Sequence, residues 1–222
     1  MRSDLEVFVD TLVGRLSDPA NAESAGGFPR DAAAADHPGM YSWWTDDDGL
    51  NALSAPFGVR LPPLIYAGQA GATSTRAKTE RAATLRSRIG SNHLNGNIGS
   101  STFRKTLTAV LLEPLDLHLA RPDRLDAVSN QQLSAWMRQH LRLVIAAHPD
   151  RATLARVENA VLRRLDPPLN LMGMRTSPVR SRLRELRSGL SSAGHNSGMR
   201  DSALKPSSRT EDQAPLSRPR RR

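Results

Sequence analysis

Two short runs, GMYSWW at residues 39–44 and PPLIYAGQ at residues 62–69, limit what this chain can fold into. Each is too short to stand as an isolated helix, and each carries aromatic or β-branched side chains that favour extended backbone. The first lies between Pro38 and the acidic stretch TDDDG, and the second starts on Pro62-Pro63 and ends at Gly68. Both read as strands, close enough in sequence to pair antiparallel. The only two tyrosines of the chain, Tyr41 and Tyr66, fall one in each run. In such a pair they can face one another.

Elsewhere the apolar spacing is mostly helical. Leu5, Phe8, Val9, Leu12, Val13 and Leu16 predict an amphipathic helix over 4–17 that docks on something. DPANAESAGGFPRDAAAADHPG, at 18–39, breaks all periodicity and reads as a linker or loosely held arm, and TDDDG reads as a loop. RAKTERAATLRSRIGSNHL, at 76–94, predicts a helix with Ala82, Leu85 and Ile89 turned inward. Ser101 is placed to cap the next helix, TFRKTLTAVLL. SNQQLSAWMRQHL predicts a third helix leading into RLVIAAH, the third strand, and RATLARVENAVLRRL a further helix that DPP ends. VRSRLRELRSGL, after Pro178, predicts a basic helix. From about residue 191 there are almost no large apolar side chains to offset the entropy of ordering, so this part is expected to be disordered.

The sum is an α+β fold with a small antiparallel sheet of about three strands flanked by helices. It divides into an N-terminal helix and arm at 1–37, a central domain at 38–190 and a disordered basic tail at 191–222. No cysteine is present, which excludes disulfides, thiolate metal sites and cysteine nucleophiles and suits a cytoplasmic location. No segment approaches membrane-spanning length, so no membrane partner is expected.

The net charge of +9 is unevenly placed. Residues 1–50 carry 3 Lys or Arg against 10 Asp or Glu, residues 51–174 carry 16 against 8, and residues 175–222 carry 12 against 4. A basic middle joined to a basic tail favours a polyanion partner, most often nucleic acid, because neutralised phosphates release counterions.

Gly39-Met40-Tyr41 and Tyr66-Ala67-Gly68 resemble the two halves of the signature that names the GIY-YIG nuclease superfamily. The resemblance implies further site residues at matching positions. An arginine is expected in the helix after the second motif: Arg88 is the better match and Arg86 the fallback, since two residues apart they point to different sides. A glutamate on a later helix and an asparagine after it are matched by Glu158 and Asn170, and His93 by a His-Leu-x-Gly-Asn stretch of some bacterial members. His93 is five residues from Arg88, one more than a helical i, i+4 pair requires.

The resemblance implies a phosphodiester hydrolase acting on DNA with Mg²⁺ or Mn²⁺, and no small-molecule cofactor. Glu158 anchors the metal, Arg88 holds the phosphate, and Tyr41 acts as general base with Tyr66 as orienting partner, or the reverse. Asn170 fixes a phosphate or the sheet-to-helix geometry. Arg86, Arg104, Lys105 and Arg182 are expected nucleic-acid contacts. Two other readings compete: a nucleic-acid-binding protein that keeps the fold without cutting, and an adaptor that uses its N-terminal helix as a docking surface.

Overall fold

The computed structural model describes residues 2–71 and 83–203, with side chains described as far as Leu190. Its centre is an antiparallel sheet in the order β1-β6-β2-β3, formed by β1 (Glu23–Ser24), β2 (Gly39–Thr45), β3 (Leu64–Ala70) and β6 (Leu141–Ala147). The three expected strands are joined by one two-residue edge strand. Every residue of β2 is buried, because helices cover both faces of the sheet.

On one face lie α1 (Asp4–Ser17) and α6 (Arg151–Leu165). Val9, Leu12 and Leu16 of α1 and Leu154, Val157 and Val161 of α6 pack with Met40, Trp44, Ala67 and Val144 of the sheet. Ser3 starts α1 with a reciprocal capping box to Glu6, and the buried Ser42 hydroxyl donates to Leu16 O at 2.7 Å. The other face carries Tyr41, Trp43 and Tyr66. It is covered by a π-helix (Arg86–Leu94), α4 (Thr102–Leu111), α5 (Ala127–His140) and α7 (Pro178–Ala203), through Leu85, Ile89, Phe103, Leu107, Leu133, Met137 and Leu183. A two-stranded β4 (Leu119–Arg121) and β5 (Arg124–Leu125) hairpin lies apart from this sheet.

Several expectations change on folding. The stretch at 18–39 is not loose: β1 pairs with β6, a short α2 (Ala32–Ala35) follows, and Ala22, Ala25 and Ala35 are buried. Arg15 Nε donates to Ile145 O at 2.9 Å, and an Arg142 guanidinium nitrogen donates to Ala22 O at 2.7 Å, tying the arm to β6. TDDDG opens a helix, α3 (Asp47–Ser54), because Asp46 caps it through Gly49 N–H while Asp47 and Asp48 meet the positive end of its dipole. The basic helix after Pro178 continues in backbone to Ala203. Residues 204–222 of the expected disordered tail, and Ala82 of the expected buried stripe, lie outside the described residues.

Beyond α6 the chain turns at Asp166 and is fastened by Arg180, 3% exposed, whose guanidinium reaches Asn170 O (2.9 Å), Pro167 O (2.9 Å), Arg175 O (3.1 Å) and the Asp166 carboxylate (2.8 Å). This fixes where α7 leaves the loop.

Candidate active site

The register of β2 and β3 sets Tyr41 opposite Gly68 and Trp43 opposite Tyr66. The tyrosines are therefore offset along one face rather than opposed, a diagonal spacing that long aromatic side chains can bridge. Gly68 is required by this arrangement: a Cβ there would sit 2.6 Å from Tyr41 Oη and 2.9 Å from its Cζ. Gly68→Ala is accordingly expected to push the Tyr41 ring aside, costing about 1–3 kcal/mol. Chemical denaturation of the variant checks this, and an unchanged midpoint would contradict it.

Tyr41 is 1% exposed and its hydroxyl lies 2.7 Å from His93 Nε2. His93 is fully buried, and its Nδ1 lies 2.7 Å from Ser101 Oγ, the N-cap of α4. The five-residue offset between Arg88 and His93 is explained by the helix type. In a π-helix the backbone bonds run from i to i+5, so residues five apart return to one side. Asn95 N–H accordingly bonds Gly90 O at 3.0 Å, closing the element. Tyr66 stacks on Phe103 with ring centroids 4.5 Å apart.

Arg88 interacts electrostatically with Tyr41, Tyr66 and Glu158. Its Nε is buried without a hydrogen-bond partner. Arg86 turns the other way, as the two-residue spacing requires, and pairs with Asp36. Glu158, half-buried on α6 and next to the core residue Val157, has no hydrogen bond or ion pair to its carboxylate among the described residues. Burial raises its pKa, and the Arg88 charge opposes the rise.

Burial also pushes the Tyr41 phenol well above its ordinary value, Tyr66 adding to the effect and Arg88 working against it. In the free protein desolvation outweighs the opposing Arg88 charge, and the Tyr41 hydroxyl keeps its proton at neutral pH. Burial, with the charges of Arg88 and Arg104, holds His93 well below the usual imidazole range, so its ring is neutral.

Asn170 Oδ1 accepts from Ala67 N–H at 3.0 Å and its Nδ2 donates to Ala67 O at 2.8 Å. Of the two roles expected for it, the geometry favours the structural one, pinning β3 just beyond Tyr66. The expectation for Arg104 is corrected. It is fully buried and cannot reach a nucleic acid; it donates to His93 O (2.8 Å), Leu94 O (3.2 Å), Asn130 O (3.0 Å) and Asn130 Oδ1 (2.8 Å). It thus closes the C-terminal end of the π-helix. Lys105 is half-buried, and Arg182 is exposed and paired with Glu185 at 3.0 Å.

One residue of this cluster is not predicted by the sequence. Arg187, half-buried on α7, interacts electrostatically with Tyr66 and has no carboxylate or carbonyl partner among the described residues. It stands in a run of four arginines over 180–187 of which the sequence marks none as special.

A family model for the GIY-YIG catalytic domain matches residues 39–189, from the first residue of β2 into α7. No curated protein and no solved structure matches the chain. With both tyrosine strands, the π-helix, Glu158 and Arg187 inside the matched span, this chain belongs to the GIY-YIG family.

Proposed function

We propose that the protein is a metal-dependent endonuclease that hydrolyses phosphodiester bonds in DNA. The observation that carries this reading is the meeting of Arg88 and Glu158, from two different helices, at a pair of strand tyrosines. Arg88 has no carboxylate partner within hydrogen-bond reach among the described residues and presents a guanidinium fork suited to a phosphate. A cation kept partly out of water without a bonded anion favours a ligand that brings one.

Nucleases of this family generally use a divalent metal ion. The residues present fit one. Among the described residues no group of three or more His, Asp or Glu side chains gathers. Glu158 offers a half-buried carboxylate with no hydrogen-bonded partner, and Mg²⁺ takes one or two protein carboxylates and completes its shell with water and substrate phosphate. A bound ion would polarise the phosphoryl oxygens and help the leaving oxyanion.

This chain's own residues supply the rest. Arg88 binds the scissile phosphate and gains strength as negative charge builds on its oxygens. The Tyr41 and Tyr66 hydroxyls, held by His93 and by stacking on Phe103, orient the attacking water on the sheet side. Arg187 holds the phosphate from the α7 side. Arg182 and the exposed Arg184 on the same helix extend the basic surface along the DNA backbone. The adaptor reading loses its surface, since Val9, Leu12 and Leu16 of α1 are already buried in the protein's own core. Among the described residues no helix is long and apolar enough to cross a membrane.

Supercoiled plasmid incubated with wild-type protein is expected to be nicked or linearised in Mg²⁺ or Mn²⁺ and to stay intact in EDTA. Plasmid that is retarded in a gel yet uncut in either metal would sink the cleavage reading and favour binding alone.

A further inference from the structure

The Ser101 hydroxyl is 1% exposed and has two neighbours among the described residues. It accepts the Arg104 backbone N–H at 3.0 Å, and it lies 2.7 Å from His93 Nδ1. A serine hydroxyl carries one proton and two lone pairs. The only acceptor within reach of that proton among the described residues is Nδ1 of the histidine. If Nδ1 itself were protonated, two donors would face each other or the serine proton would be buried without a partner, which folded proteins avoid.

We infer that Ser101 is a positioning residue for the cleavage reaction: it donates to His93 Nδ1 and thereby fixes the imidazole as its Nε2–H tautomer. The ring then donates from Nε2 to Tyr41 Oη across the 2.7 Å contact. Because His93 is neutral, it has one ring proton, and that proton faces the tyrosine. Tyr41 therefore cannot give its own proton to His93. That proton points away from the histidine into the site, where it meets water or phosphate oxygen. In this arrangement His93 is a donor whose bond strengthens as negative charge builds on Tyr41 Oη, and it is not a base for the phenol. The chain of donors runs from Ser101 through His93 and Tyr41 to the substrate, and every step except the last is within the described residues. The catalytic consequence rests on the endonuclease reading, whereas the tautomer does not.

Wild-type protein labelled with ¹⁵N-histidine is examined at neutral pH by long-range ¹H–¹⁵N correlation, with the His93 signals identified by their loss in His93→Gln. A protonated Nε2 and a bare Nδ1 are expected; a protonated Nδ1 overturns the inference. Three substitutions separate the relay from simple capping of α4. Ser101→Thr keeps both the hydroxyl and the cap and retains the tautomer and cleavage. Ser101→Ala releases the ring to a mixture of tautomers and lowers plasmid cleavage by roughly 10- to 100-fold. Ser101→Asp keeps a capping oxygen but, when ionised, has no proton to give. It is expected to turn His93 to the Nδ1–H form and to cut as poorly as Ser101→Ala. Wild-type behaviour in Ser101→Asp means the hydroxyl only caps the helix, and the inference fails. If the expected tautomer is found but no metal yields cleavage, the endonuclease reading fails while the Ser101 assignment stands.

Discussion

Arg88→Ala is expected to cleave plasmid about 100- to 1000-fold more slowly than wild type while unfolding at the same temperature or slightly above it. The two halves of this result have one cause. The Arg88 guanidinium is positioned for a developing phosphoryl charge, so its loss is felt most in the transition state. In the free protein its Nε is buried without a hydrogen-bond partner. Deleting it therefore removes an unsatisfied donor as well as a cation held partly out of water. A large loss of activity with no loss of stability is the signature of a residue kept for function at a cost to the fold. Single-turnover cleavage and a thermal melt on the same preparation check it. A melt lowered in proportion to the activity would show that Arg88 is structural. Glu158→Ala, measured alongside, should retain plasmid binding and lose metal-dependent cutting.

The largest effect on stability is expected at Arg104. Arg104→Ala strips hydrogen bonds from His93 O, Leu94 O, Asn130 O and Asn130 Oδ1 in a region closed to water. Buried acceptors left without donors cost about 1–3 kcal/mol each and do not add fully, so a loss of roughly 3–5 kcal/mol follows. Lys105→Ala, one residue on and half-buried, should stay within about 0.5 kcal/mol of wild type. Urea denaturation of the two variants decides between them. Similar midpoints would mean that the buried guanidinium does not hold the π-helix in place.

The contrast between Arg104 and Lys105 shows where sequence reading reaches its limit. Both are basic residues on one helix, and composition cannot say which one faces the core. Arg86 and Arg88 were separable because the two-residue spacing alone sends them to different sides. The strands were legible because proline, glycine and aromatic residues bound them tightly. The arm at 18–39 was not, since its order comes from a two-residue strand and buried alanines, which leave no periodicity. The offset of His93 from Arg88 was visible in the sequence, but its resolution was not, because no residue pattern announces a π-helix. Tyr41, Tyr66, Arg88 and Glu158 could be named from their order along the chain. Arg187 could not, because its partner is a tyrosine more than a hundred residues away. Burial, finally, pushes the Tyr41 phenol above its ordinary value, and burial is a property of the packed layers that no short motif contains.

The edges of the central sheet are both occupied. β1 lies along β6 on one side, and on the other Leu169 N–H bonds Ile65 O at 3.0 Å while the Asn170 amide closes over Ala67. The span matched by the family model starts at Gly39 and so includes only the second of these covers. A fragment trimmed to that span would bare the outer rim of β6 together with the apolar floor on which α1 rests. Such rims recruit strands from other molecules. Removal of the first 38 residues is therefore expected to promote self-association along β6, and the smallest unit that keeps both edges of its sheet covered is longer than the motif that defines it.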